Sequence, residues 1–246
     1  MFLFLRLLLA HFIADFPLQT TSVYVIKVRD KHGLWVHTSI IFLMSLLFVY
    51  PYWGYPWMWV YLVGSTLVHH ASDAIKIYLN RTGSPRHFLL RYVGDQIVHV
   101  STASAVLLLP IGHLRLEDAN PGLWAKIYNS DFLMLYGSLL IVATYFSTYF
   151  IEALKKSYWP KRFHELLPTS YKTYGIFERA CLFHLAFLGG LFWATMPFAI
   201  LPRYLLANFF PKIFNNKIRC ISALEMIPSF FLGILPGIAL RLLTRS

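Results

Sequence analysis

Apolar residues run through this chain in long blocks rather than in the alternating pattern of barrel strands. Short polar or aromatic-rich connections separate the blocks. They predict helices over roughly 2–19, 34–50, 57–79, 88–110, 131–154, 176–200 and 221–241. A crossing helix needs about 20 residues, so the first two read as tilted or partial spans. The stretch "PYWGYPW" at 51–57 has Pro, Gly and aromatics but no charge, which reads as a tight turn in an interfacial aromatic belt. The expected fold class is all-α: a polytopic transmembrane helical bundle with about six to seven spans. With no repeat and no low-complexity linker, 1–246 reads as one integral-membrane domain, 1–110 carrying the polar positions and 111–246 supplying supporting helices.

Composition agrees. The chain is 57% hydrophobic and only 13% charged, where a soluble domain carries about 25%. The net charge of +11 sits in the connections, as expected of positive loops facing anionic headgroups, and nucleic acid is not an expected partner. Lys27, Arg29 and Lys31, then Arg81, Arg86 and Arg91, then Lys155, Lys156, Lys161, Arg162 and Lys172 mark three cytoplasmic connections. The N-terminus then begins outside. The basic segment 203–219, with Arg203, Lys212, Lys217 and Arg219, leaves the direction of the last span open. The first block resembles a signal peptide, but His11 and Asp15 spoil its apolar end, so it reads as a retained span. Cys181 and Cys220 have no metal-like spacing.

Against this apolar ground the polar residues stand out. His11 and Asp15 are four apart, with Gln19 four further on. His69 and Asp73 repeat the spacing, with Lys76 next on that side, and Asp95 and His99 repeat it again. Residues at i and i+4 share a helix face, so each pair points one way. The loop charges put all three pairs, and the lone His37, at about the same depth near the cytoplasmic boundary. An aspartate at the centre of a span costs roughly 2.5–3.5 kcal/mol, so these groups need partners. Imidazole with carboxylate is the ligand set of Zn, Mn or Fe, and a dication would neutralise the carboxylates. The expected metal ligands are His11, Asp15, His37, His69, Asp73, Asp95 and His99, enough for one or two divalent ions. Hydrogen-bonded pairs gluing helices together are the plainer reading of each His–Asp pair.

Other polar residues carry less. His70 is one residue off the His69 face and reads as a bystander or a supporting group. Lys76 either snorkels to headgroups or binds phosphate. Glu152, Glu178 and Arg179 read as ion-paired, Glu225 joins them only if the last span starts on the cytoplasmic side, and His164 and His184 read as structural. No P-loop, GxSxG, Rossmann or CxxC motif is present.

At "HFIADFPLQ", "HHASDAIK" and "GDQIVH" the chain resembles an uncharacterised bacterial membrane family, domain of unknown function 3307. The matching positions are His11, Asp15, Phe16 and Gln19; His37; His69, Asp73 and Lys76; and Asp95, Gln96 and His99. "GIFERA" (175–180) and "SALEMIPSFFLG" (222–233) are fainter echoes of its later helices. The resemblance implies a multi-pass protein of the bacterial inner membrane and brings no activity with it. It is similar in style to another bacterial membrane group described as metal-dependent hydrolases, which is fold-level analogy.

The expectation is therefore a membrane-embedded, metal-dependent hydrolase acting on phospholipid or lipid-linked phosphate. Asp15, Asp73 or Asp95 would serve as catalytic carboxylate, Gln19 and Gln96 would orient ligands, and Lys76 would hold the anionic substrate. Two alternatives stand beside it: a non-catalytic accessory or assembly subunit of a larger membrane complex, and ion or proton transport. Membrane lipids, and in the accessory reading other membrane-protein subunits, are the expected partners.

Overall fold

The computed structural model describes residues 1–30, 32–120, 122–158, 169–209 and 222–245. Lys31, Lys161, Arg162, His164, Lys212, Lys217, Arg219 and Cys220 lie outside them. Every regular element among the described residues is helical, and they fall into two units, Met1–Ser138 and Leu139–Ser246.

In the first unit α1 (Phe2–Asp15), α2 (Thr21–Arg29), α3 (Gly33–Phe48), α4 (Pro56–Thr82), α5 (Phe88–Ser104) and α6 (Leu123–Asn129) follow in order. α1 packs on α3 and α5, and α4 packs on the same two helices, so the four close into a ring. Leu3, Leu7, Tyr52, Met58, Leu62 and Val106 fill one end of that ring with apolar side chains. The polar residues of α1 follow one and two turns beyond Leu7. The chain's alternating direction brings those of α3, α4 and α5 to the same level.

Local chemistry sets the elements. Pro56 opens α4, where its missing N–H is no loss and its φ is already helical. The Thr20 hydroxyl accepts from the Val23 N–H and caps α2. The corner between α2 and α3 requires Gly33, because a Cβ there would stand 2.1 Å from the Ile26 carbonyl oxygen. Arg6, inside the first apolar block, is fully buried. It donates to the carbonyls of Phe2 and Tyr128, pairs with Asp131 and lies 3.3 Å above the Phe2 ring, tying α1 to α6.

The block expected at 2–19 ends its helix at Asp15, so Gln19 sits beyond it in a turn. The block expected at 88–110 leaves the α-helix at Ser104 and continues as short 3-10 turns.

The second unit holds α8 (Ser147–Tyr158), α9 (Thr169–Leu188), α10 (Met196–Phe209) and α11 (Ser222–Arg245). α7 (Asp131–Ile141) runs into α8 through a π-turn at Val142–Phe146. Leu182, Ala186, Met196 and Ile234 form its apolar core. The single span expected at 176–200 is instead broken. Gly189 and Gly190 take φ of +67° and +61°, conformations open to glycine, and end α9 before a 3-10 turn leads into α10.

Two helical stretches among the described residues, Asp131–Tyr158 and Glu225–Thr244, are long and apolar enough to cross a membrane, and Gly33–Phe48 and Gly190–Pro202 are shorter apolar helices.

Candidate metal centre

Asp73, in the C-terminal half of α4, is the hub of the first unit's polar cluster and is wholly buried. Its Oδ2 lies 3.1 Å from His69 Nε2, one turn back on the same helix, and 3.3 Å from His37 Nε2 on α3. The two Nε2 atoms are 3.2 Å from each other, and His37 Nε2 is 3.3 Å from Asp15 Oδ1 at the end of α1. Four ligands about 2.0–2.1 Å from a zinc-like ion in a tetrahedron stand about 3.4 Å from one another. The contacts among Asp15, His37, His69 and Asp73 have the lengths of such edges. A second grouping, His69, Asp73 and His99, also brings three ligand atoms within 4.8 Å of one another.

Asp95 and His99, one turn apart on α5, flank this centre. Asp95 Oδ1 is 3.2 Å from His99 Nε2 and accepts from the Ser72 hydroxyl at 2.8 Å. The Gln96 amide donates to Asp15 Oδ2 at 3.0 Å and holds that carboxylate in place. Gln19 donates to the Asp15 carbonyl and accepts from Lys27. Both glutamines thus bond to Asp15, Gln96 at its carboxylate and Gln19 at its backbone carbonyl.

His11 sits differently. Its ring packs 5.4 Å from that of His69 and 5.1 Å from that of His99, yet among the described residues it joins neither ligand-atom group. Its Nε2 is buried without a hydrogen-bond partner among the described residues, as is Nδ1 of His99. His70 turns away, stacking on Trp35 at 4.1 Å with its Nδ1 3.0 Å from the Thr38 hydroxyl. It is a bystander.

The lysines differ most from expectation. Lys76 neither snorkels nor stands free: its ammonium bridges Asp73 Oδ1 at 2.9 Å and Asp95 Oδ2 at 2.5 Å. Lys27, expected as one charge of a cytoplasmic loop, is buried and reaches Asp73 Oδ2 at 2.7 Å from the short helix α2. Burial lowers its pKa from the ordinary lysine value, with Asp73 acting in the opposite direction. Its place on α2, one helical turn from the tight corner at Gly33, is the signal that sequence reasoning passed over.

Glu178, Arg179 and Glu225 belong to the polar cluster of the second unit. Arg179 donates to the Thr144 carbonyl exposed by the π-turn and to Ser229, whose hydroxyl donates to Glu178. Glu225 pairs with Lys155, and Glu152 with Lys156.

No curated protein and no solved structure matches the chain. Residues 3–115, which carry every residue of the candidate centre, match the family model described as "Protein of unknown function (DUF3307)".

Proposed function

We propose that the chain is a multi-pass protein of the bacterial inner membrane whose His/Asp centre holds one divalent metal and hydrolyses an anionic lipid substrate, a phospholipid or lipid-linked phosphate. The observation that carries this reading is the gathering of Asp15 Oδ1, His37 Nε2, His69 Nε2 and Asp73 Oδ2 inside a buried ring of helices, with Asp15, His37 and His69 forming one three-ligand group. Two imidazole nitrogens aimed at each other and at shared carboxylate oxygens suit a cation better than they suit hydrogen bonding, since one proton between them leaves other lone pairs opposed. Zn, Mn and Fe all accept this ligand set. Asp15, His37 and His69 would hold such an ion with a position left open, where it would lower the pKa of a bound water to about 7 and polarise the scissile group. Asp95 stands outside this ligand group and is the carboxylate left to act as base, with Lys76 setting its position.

The membrane part of the reading rests on α4 as much as on the two long apolar helices. Trp57, Val60, Val63, Leu67, Ile75 and Tyr78 are all exposed on its outer face. From Trp57 to Tyr78 that face runs about 32 Å at the helical rise, close to the roughly 30 Å of hydrocarbon in a bilayer. His69 and Asp73 occupy the opposite, inward face. A helix with its polar residues turned inward scores as only moderately apolar overall while offering lipid an apolar surface.

A second reading has its own support. Three carboxylates against two ammonium groups leave one negative charge, which a single proton shared by His37 and His69 would cancel without metal. That state suits interhelical glue in an accessory subunit, with membrane-protein partners, or proton handling.

Elemental analysis of detergent-purified protein separates the two. About one transition-metal ion per chain is expected, and a folded, metal-free preparation that takes up none on titration would overturn the metal reading. Asp95→Asn should then keep the ion and lose turnover of labelled lipid phosphates. Retained turnover would remove Asp95 as the base, and absence of turnover in the metal-loaded parent would leave the centre structural.

A further inference from the structure

Beside the candidate centre, within the same ring of helices, lies a half-open cavity of about 30 Å³. That is room for about two water molecules. His11, His69 and His99 form one wall, and Ser45, Ser65 and Thr102 bring hydroxyl-bearing side chains to the others. His11 and His99 are more than nine-tenths buried, and His11 Nε2 and His99 Nδ1 have no hydrogen-bond partner among the described residues. Purely apolar cavities stay dry, whereas a cavity with unpartnered ring nitrogens in its wall is built for a polar occupant.

Charge identifies the occupant. With neutral imidazoles, Asp15, Asp73 and Asp95 against Lys27 and Lys76 carry one net negative charge, all of it buried. A dication at the centre turns this into one net positive charge, which burial makes costly unless a partner cancels it. We propose that the cavity is a binding site for one small monoanion of hydroxide class, filled when the centre is loaded and empty of anion when it is not. The proposal rests on the metal reading. It assigns His11 to the anion's wall rather than to the ion, and a hydroxide held there is the size and charge of a hydrolytic nucleophile. Bromide is a probe of the same charge that diffraction can locate.

Crystals of the full-length protein, zinc-loaded or chelator-treated, would be soaked in bromide and their anomalous scattering recorded at the zinc and bromine edges. The expected result is a zinc peak among Asp15, His37, His69 and Asp73. A bromide peak should lie against His11 and His99 in the zinc form alone. Ala103→Leu, which fills the cavity, and Ser65→Ala, which removes a hydroxyl from its wall at little change in volume, should keep one zinc per chain. The first should lose the bromide peak and the second should weaken it. Zinc without bromide in the cavity overturns this proposal and leaves the metal reading standing. So does bromide of equal strength in the chelated form, or in Ala103→Leu. No zinc peak overturns both.

Discussion

His37 Nε2 and His69 Nε2 lie 3.2 Å apart, and each lies within 3.3 Å of Asp73 Oδ2. One Nε2–H donated between the two neutral imidazoles leaves the accepting nitrogen already occupied while Asp73 Oδ2 also faces it, so the arrangement suits a cation or a shared proton among the three atoms. Replacing His37 by Ala removes one ligand of the candidate centre. Metal affinity, measured by calorimetric titration of the purified protein, should fall by roughly 100-fold or more, beyond the range seen for loss of a supporting group. His11→Ala should change it far less, because His11 is outside both ligand groups. Equal losses in the two variants would return His11 to the ligand set.

Lys27 gives a prediction of opposite sign. Removing it as Lys27→Met leaves Asp73 with less cationic compensation in a fully buried place, and breaking such a pair costs about 3–5 kcal/mol. A bound dication replaces the missing charge. The variant should therefore melt earlier than the parent without metal, and metal should raise its melting temperature by more than it raises the parent's. A smaller rise would show that Lys27 helps to hold the ion rather than competing with it for Asp73.

The His–Asp pairs were legible because helical periodicity is local: four-residue spacing puts His69 and Asp73 on one face whatever the helix packs against. Their meeting at one depth followed from alternating chain direction, which loop charges report. Lys27 was not legible. Its burial depends on α2 folding back through the corner at Gly33, a contact made by backbone atoms that hydropathy does not register. The break at Gly189 was hidden for a related reason. Apolar residues continue on both sides of it, and a pair of glycines within an apolar run reads equally well as close packing or as a stop. Arg6 was hidden by its surroundings, its partners Tyr128 and Asp131 being more than a hundred residues away.

The Gly33 corner can be tested directly. A methyl group there would stand 2.1 Å from the Ile26 carbonyl oxygen, backbone that cannot rotate aside. Gly33→Ala should destabilise the protein by about 1–3 kcal/mol, the range for overpacking, and should displace α2. Faster hydrogen exchange confined to residues 20–33 would mark that displacement. A variant as stable as the parent, with unchanged exchange, would show that the corner has slack.

Arg6 offers a control far from the metal chemistry. It is fully buried, with its guanidinium shared among Asp131, the Tyr128 carbonyl and the Phe2 carbonyl. Arg6→Met keeps the stem and removes the charge. Asp131 is partly exposed and can turn to solvent, whereas the buried Tyr128 carbonyl loses its donor. An unsatisfied buried carbonyl costs about 1–3 kcal/mol, and that is the expected loss in stability. Metal stoichiometry should not change, because Arg6 lies more than one helical turn before His11 on α1. Loss of metal along with stability would mean that the apolar end of the ring sets the geometry of the polar end.

The outer face of α4 separates a membrane protein from a soluble bundle. Val63 and Leu67 are exposed and lie mid-helix, far from the terminal Trp and Arg residues. In lipid an arginine at the centre of a span costs about 2.5–3.5 kcal/mol on insertion scales. In water the same exposed position tolerates arginine within about 0.5 kcal/mol. Leu67→Arg should therefore cut the membrane-inserted fraction severalfold in a glycosylation-reporter insertion assay, while Leu67→Ile should not. An unchanged inserted fraction for Leu67→Arg would place this face against protein or water instead of lipid.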